Sequence, residues 1–176
     1  VERSRGLGDV YKRQIFYTVF GVMYIPFLLC SLIAISDFDH LNGSRFTLLL
    51  FVTVWMADSA AYFVGNAFGR TKMIESISPK KTIEGFIGGY IGSLLSVFIF
   101  THFELINYSL TTLQIILLSI SIGIFGQLGD FFESMIKRNY KIKDSSNLLL
   151  GHGGFLDRFD SILISSRLIF IFLRFI

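Results

Sequence analysis

The sequence predicts an all-α fold, a polytopic transmembrane bundle of about five spans with two basic cytoplasmic loops. Two observations carry that expectation: apolar side chains greatly outnumber charged ones, and the few charges fall in an alternating pattern between long apolar runs. Hydrophobic residues make up 52% of the 176-residue chain, charged residues only 16%, and the mean hydropathy is +0.62. Soluble domains carry about 25% charged residues, so lipid is the solvent this composition suits. Twenty Phe against two Pro favour apolar helices over loops.

A hydrocarbon core of ~30 Å needs about 20 mostly apolar residues per helix. Five segments approach that length, at Ile15–Ile35, Phe46–Gly65, Ile83–Phe103, Leu110–Gly129 and Phe159–Ile176. No strict alternation suggests a β-barrel, and no internal repeat stands out. Ahead of the first span, Asp9-Val10-Tyr11-Lys12-Arg13-Gln14 matches what a common sequencing-library transposon end encodes in one frame. Residues 1–14 are therefore set aside as an expected artefact of assembly, and the transmembrane domain is taken as 15–176, with the gene's own start upstream.

The connecting loops differ sharply in charge. Asp37–Arg45 and His102–Ser109 share a single Lys or Arg, Arg45. Asn66–Thr82 and Asp130–Arg158 hold Arg70, Lys72, Lys80, Lys81, Lys137, Arg138, Lys141, Lys143 and Arg158. Successive crossings put the first and third loops on one side and the second and fourth on the other. Lys and Arg concentrate in cytoplasmic loops, so both basic loops belong in the cytoplasm, where nucleotides are. The net charge of +3 matters less than this placement. Cys30 is a lone thiol in an apolar run and reads as small apolar filler; it permits no disulfide framework. His40, His102 and His152 are scattered and do not suggest a His-ligated zinc site.

Several polar groups stand where lipid should not tolerate them. Asp58 lies inside the second apolar segment. A carboxylate at the bilayer centre costs at least about 2.5–3.5 kcal/mol, so such groups usually face a polar cavity; nearer a helix end it would be an ordinary interfacial residue. If helix continues past the fourth span, Asp130, Ser134 and Lys137 share one face. Glu133 and Lys137 are also four apart, and a surface ion pair would explain those two alone, but not so many charges between two spans with so few apolar anchors. The stretch Gly151-His152-Gly153-Gly154-Phe155-Leu156-Asp157-Arg158-Phe159-Asp160 is the densest candidate site. Its glycines let backbone approach a ligand and offer N–H groups to phosphate. Asp157 and Asp160, three apart, can point one way from a first helical turn, a pairing that suits Mg²⁺ with its preference for oxygen ligands and substrate phosphates. Cations beside carboxylates at a membrane face are what metal-assisted phosphoryl or nucleotidyl transfer requires.

Three blocks together resemble the phosphatidate cytidylyltransferase (CDP-diacylglycerol synthase) family. The first is Ser134-Met135-Ile136-Lys137-Arg138, then Lys143-Asp144, His152-Gly153-Gly154 and Asp157-Arg158-Phe159-Asp160. The second runs from Asp58 to Gly65, with Phe68-Gly69-Arg70 and Ser76-Ile77-Ser78-Pro79-Lys80-Lys81-Thr82-Ile83-Glu84-Gly85. The third is Gly126-Gln127-Leu128-Gly129-Asp130 with Glu133-Ser134. Departures are Leu150 in place of Pro or Gly, Ser146 in place of Gly, Ser59-Ala60 in place of Thr-Gly, and Ser166-Arg167 where small residues and Pro are usual. Members of the family are also longer, with further N-terminal membrane helices.

The resemblance implies conversion of CTP and phosphatidate to CDP-diacylglycerol and pyrophosphate at the cytoplasmic face of a bacterial inner membrane. It implies Mg²⁺ as cofactor and leaves a second cation and a homodimer open; nucleic acid is not an expected partner. Asp130 and Asp157 are expected to carry the metal, with Asp144 and Asp160 as further ligands or orienting groups. Lys137, Arg138, Lys143 and Arg158 are expected on phosphates. Ser78, Lys80 and Lys81, together with Ser134, Gly153 and Gly154, are expected at the substrates, Asp58 on the wall of a polar cavity, and His152 either donating to a phosphate or holding its Gly turn. Among rivals, the Asp and Gly pattern of CDP-alcohol phosphotransferases is absent. A CTP-using lipid kinase has similar phosphate-binding needs. A transporter would explain Asp58 but not the Gly-His-Gly-Gly and double-Asp stretch.

Overall fold

Among the described residues six α-helices, one of them preceded by a π-helical turn, form the bundle: α1 (Glu2–Ser36), α2 (Gly43–Phe68), α3 (Ile83–His102), α4 (Thr112–Ser119), α5 (Phe125–Asn139) and α6 (Leu156–Leu173). The computed structural model describes residues 2–75, 77–142, 145, 154 and 156–176. Among these residues there is no named strand, only one isolated bridge between Lys72 and Thr82.

Local chemistry explains where the helices begin. The extended Thr82 accepts the Gly85 N–H on its side-chain oxygen at 3.1 Å and so starts α3. Thr111 and Gln114 form a reciprocal capping box at the start of α4. From there α4, the π turn at Ile120–Ile124 and α5 run on as one membrane-length helix, Thr112–Asn139. The fourth span was expected to end at Gly129. The helix instead continues through Asp130 and Lys137, because nothing in that stretch breaks it until Lys141 takes a positive φ of 56°.

Among the described residues four helices are long and apolar enough to cross a membrane, at Tyr17–Ser36, Gly43–Phe68, Ile83–His102 and Thr112–Asn139. The fifth predicted span is the helix α6, shifted three residues towards the N-terminus of the expected segment. Its 18 residues include Asp157, Arg158, Asp160 and Arg167, and it packs between α1 and α5. Arg167, one of the departures noted in the sequence, lays its guanidinium 4.4 Å from the ring centroid of Phe27 on α1. Cys30 is exposed on α1 rather than filling a gap. Trp55, Ile87, Ile91, Leu95 and Phe98 are also exposed, an apolar surface that lipid covers more readily than water.

The two ends of the bundle have opposite character. At one end Ile35, Phe46, Leu49, Leu50, Phe100, Ile106, Leu118, Ile169 and Leu173 form a closed apolar core. There Asn42 Oδ1 accepts the Asn107 N–H at 3.0 Å, joining the two loops poor in basic residues. At the other end Arg138 donates to the Ile77 carbonyl at 3.2 Å, joining the two basic loops. The charge parity of the sequence is therefore the geometry of the fold.

Small residues let the helices approach closely in the basic half. A Cβ added to Gly92 of α3 would sit 2.7 Å from the Ala60 Cβ of α2, and one on Gly129 of α5 would sit 2.8 Å from the Asp160 carbonyl of α6. Hydroxyls serve backbone carbonyls in and beside the π turn: Ser93 donates to Ser119 at 2.8 Å and Ser165 to Ile122 at 3.2 Å. Backbone groups left unpaired in hydrocarbon cost several kcal/mol, so such partners are what allow an irregular turn here.

Two outcomes follow from this arrangement. In a Cys30→Ala background, a membrane-impermeant maleimide applied to intact cells is expected to label Ser109→Cys and to label Lys80→Cys only after permeabilisation; the reverse pattern would invert the topology. Gly129→Val is expected to force α5 from α6 and cost about 1–3 kcal/mol, read as an earlier thermal transition in detergent. An unchanged transition would show that the close approach is not needed.

Candidate active site

The site begins with the loop between α2 and α3. Its hydrogen bonds fold it back on itself, with Met73 N–H to the Lys81 carbonyl at 3.1 Å and Ile83 N–H to the Thr71 carbonyl at 2.9 Å. The Glu84 carboxylate accepts the Thr71 N–H at 3.1 Å. This compact loop brings Lys72, Lys80 and Lys81 to the rim of a cavity of about 670 Å³. The cavity reaches into the bundle between α2, α3 and α5, where Asp58, Asn66, Gln127 and Asp130 contribute polar groups. Asp58 stands exposed on its wall, as expected from a carboxylate within an apolar segment. Gln127 is oriented by donating to the Phe86 and Gly123 carbonyls at 3.2 and 2.9 Å.

Across the cavity Lys81 Nζ meets Asp130 Oδ2 at 2.6 Å, and Ser134 Oγ donates to the other Asp130 oxygen at 3.4 Å. Beside this pair lies a second group, formed where α5 faces α6. Lys137 Nζ sits 2.6 Å from Asp157 Oδ1 and 3.0 Å from Glu133 Oε2. The second Asp157 oxygen accepts the Gly154 N–H at 2.7 Å and both the N–H and hydroxyl of Ser145 at 2.9 Å. Burial opposes ionisation of Asp157, but these donors outweigh it and hold the carboxyl well below the usual carboxylate range. Asp160, one turn on, accepts the Ser161 N–H at 2.6 Å and faces the Glu133 carboxyl.

A sequence profile of the cytidylyltransferase family matches residues 7–176. The chain belongs to the cytidylyltransferase family. It is 39% identical over 151 residues to the phosphatidate cytidylyltransferase of Bacillus subtilis (strain 168), covering 85% of this chain and 55% of that protein. Identity to the phosphatidate cytidylyltransferase of Staphylococcus haemolyticus (strain JCSC1435) is 46% over 120 residues, 68% of this chain and 45% of the relative. That of Haemophilus influenzae (strain ATCC 51907 / DSM 11121 / KW20 / Rd) is 46% identical over 128 residues, 70% and 44%. The chain thus spans about half the length of the curated relatives it matches.

Within this cytidylyltransferase-family fold, the expected site residues fall into two clusters. Asp58, Lys80, Lys81 and Asp130 meet at the cavity; Lys137, Asp157, Asp160 and Gly154 meet between α5 and α6. Ser134 links to the first through Asp130. Arg158 is exposed at the start of α6. Arg138 donates from its guanidinium to the backbone of Ile77 and Ile142, tying the two basic loops together. Ser78 likewise holds the loop, donating its N–H to the Ile74 carbonyl and accepting the Lys81 N–H. Lys143, Asp144, His152 and Gly153 lie outside the described residues.

The sequence reading passed over Glu133, which looked like half of a surface pair. It is 6% exposed, and its Oε1 is buried and accepts no hydrogen bond from any described residue. Its spacing from Asp130 and Lys137 was the available signal, since all three lie on one helix face. Lys72, Asn66 and Gln127 were also missed; only Gln127, an amide inside an apolar run, stood out by position.

The depressed Asp157 pKa sets a pH dependence. Asp157 adds stability in full above its unfolded pKa, about 3.9, and loses it as pH falls through the lower folded value. The thermal stability difference between the chain and Asp157→Asn is expected to stay constant from neutral pH to about pH 5 and to shrink only on further acidification. A difference already shrinking between pH 7 and 5 would refute the depressed value.

Proposed function

We propose that this chain is the catalytic part of a phosphatidate cytidylyltransferase, converting CTP and phosphatidate to CDP-diacylglycerol and pyrophosphate at the cytoplasmic face of a bacterial inner membrane. The observation that carries this reading is the polar cavity at the basic end of the bundle. It is lined by Lys72, Lys80 and Lys81 and extends down to Asp58. Acyl tails stay in the bilayer while a head group reaches such a cavity sideways, and a nucleotide enters it from water.

The chemistry asks little of a general base. A phosphatidate oxygen is already anionic; it attacks the α-phosphorus of CTP, the α–β P–O bond breaks, and pyrophosphate leaves. The barrier comes from bringing two polyanions together and from charge developing on the leaving group. Lys80, Lys81 and Lys72 offset that charge at the rim. Lys137, held by Glu133 and Asp157, offers a cation whose position is already set. Arg158, exposed at the start of α6, is the further phosphate partner.

The carboxylates suit Mg²⁺. Asp130 and Asp157 would hold it, and Asp160 and the unpartnered Glu133 oxygen offer further hard donors. Among the described residues no three such groups converge as a finished metal cage, which accords with an ion that binds through one or two carboxylates plus substrate phosphates. When bound, Mg²⁺ would neutralise phosphate charge and stabilise the departing pyrophosphate.

The test uses membranes bearing the chain, and a chimera in which the Bacillus subtilis relative supplies the N-terminal half. CTP labelled at the α-phosphate is expected to yield labelled lipid, and CTP labelled at the γ-phosphate labelled pyrophosphate only. Asp130→Asn and Asp157→Asn are each expected to lower the rate by about a hundredfold or more. Label moving from the γ-phosphate to lipid would replace this reading with a CTP-dependent lipid kinase.

A further inference from the structure

The contact between Lys81 and Asp130 has an unusual setting for an ion pair. It joins the α2–α3 loop to α5 across the cavity, at 2.6 Å, with neither side chain more than about a third exposed (29% and 35%). The Lys81 ammonium is itself buried and donates no well-formed hydrogen bond, so Asp130 is its close partner, with the Phe131 ring 5.9 Å away. Asp58, on the same cavity wall, lies close enough to feel both charges. The Lys81 ammonium therefore occupies the Asp130 carboxylate, a place that a divalent cation would also favour.

We propose that Lys81 is a resident counter-ion on Asp130 that yields its place to a metal–nucleotide complex, which makes metal and phosphate binding mutually dependent. The proposal rests on the reading of Asp130 as a metal ligand. The backbone of Lys81 is held, its N–H bonded to the Ser78 carbonyl and its carbonyl to the Met73 N–H, and the next residue, Thr82, caps α3. Only the four-carbon side chain has freedom to move. A metal ion and an ammonium cannot share one carboxylate oxygen at 2.6 Å without strong repulsion. A metal arriving alone must displace Lys81 and leave it unpaired in a partly buried site, at a cost. A metal arriving with phosphates supplies the displaced ammonium with a new partner beside Lys72 and Lys80. Linkage then requires phosphate to tighten metal binding and metal to tighten phosphate binding by the same factor.

Binding of Mn²⁺ to the detergent-purified chain, followed by electron paramagnetic resonance, reads this directly without turnover. Mn²⁺ alone is expected to bind Lys81→Met about tenfold more tightly than the parent. A non-reactive CTP analogue is expected to tighten Mn²⁺ binding in the parent and to do so much less in Lys81→Met. Asp130→Asn is expected to bind Mn²⁺ weakly whatever stands at position 81. If Lys81→Met binds Mn²⁺ no more tightly and keeps the full effect of the analogue, while Asp130→Asn still loses metal, the counter-ion role is wrong and the metal assignment stands. If Asp130→Asn binds Mn²⁺ like the parent, both the counter-ion role and the metal assignment fall. Lys81→Gln, which keeps a polar tip without charge, is expected to behave as Lys81→Met; a Gln variant matching the parent would also overturn the role of the charge.

Discussion

Lys137 is the group around which the basic half of the bundle is organised. Its side chain is only 14% exposed, a position in which an unpaired ammonium would cost several kcal/mol. Two carboxylates on two helices answer that cost: Glu133 one turn back on α5 and Asp157 at the start of α6. Because both must reach one nitrogen, the register of α6 against α5 has little freedom. Gly129 then lies under the Asp160 carbonyl, and Asp160 faces Glu133. The other Asp157 oxygen accepts the backbone N–H groups of Ser145 and Gly154, so the same ion group holds two points of the connection between α5 and α6.

The lipid environment explains why apolar and polar packing are separated along the bundle. At the end poor in basic residues, large side chains such as Phe46, Leu49 and Phe100 fill the centre. Towards the basic end the helices meet through glycines, hydroxyls and the Gln127 amide, and the space left between them is the cavity. A buried Thr53–Ser96 hydrogen bond at 2.9 Å marks the transition between α2 and α3. The π turn belongs to the same pattern. It shifts the face that α5 presents after α4, and hydroxyls from α3 and α6 compensate carbonyls there.

Some of the site could be read before any geometry was known. Asp58 was conspicuous because a charge in an apolar run has few reasons to be there, and it does line the cavity. The parity of Arg and Lys along the loops placed Lys80, Lys81 and Lys137 at one end, and the fold agrees. Glu133 was misjudged for a physical reason: spacing of four residues identifies a pair but not whether the pair faces water or α6. The bonds of Arg138 to two carbonyls were not legible, since sequence records a charge but not the backbone acceptors within its reach. The end of the fourth span was placed too early because charged residues in a helix resemble a loop when only hydropathy is counted.

Membrane class and family membership were accessible from order and composition alone, because a bilayer imposes length and charge rules that act locally along the chain. The pairing of Lys81 with Asp130 and of Lys137 with Asp157 was not. Each joins residues far apart in sequence, and each depends on how closely helices pack, which the small residues of α3 and α5 permit but do not specify singly. Tertiary packing chose the partners, and in doing so set which carboxylates hold lysine, which oxygen on Glu133 is left without a donor, and where the cavity opens.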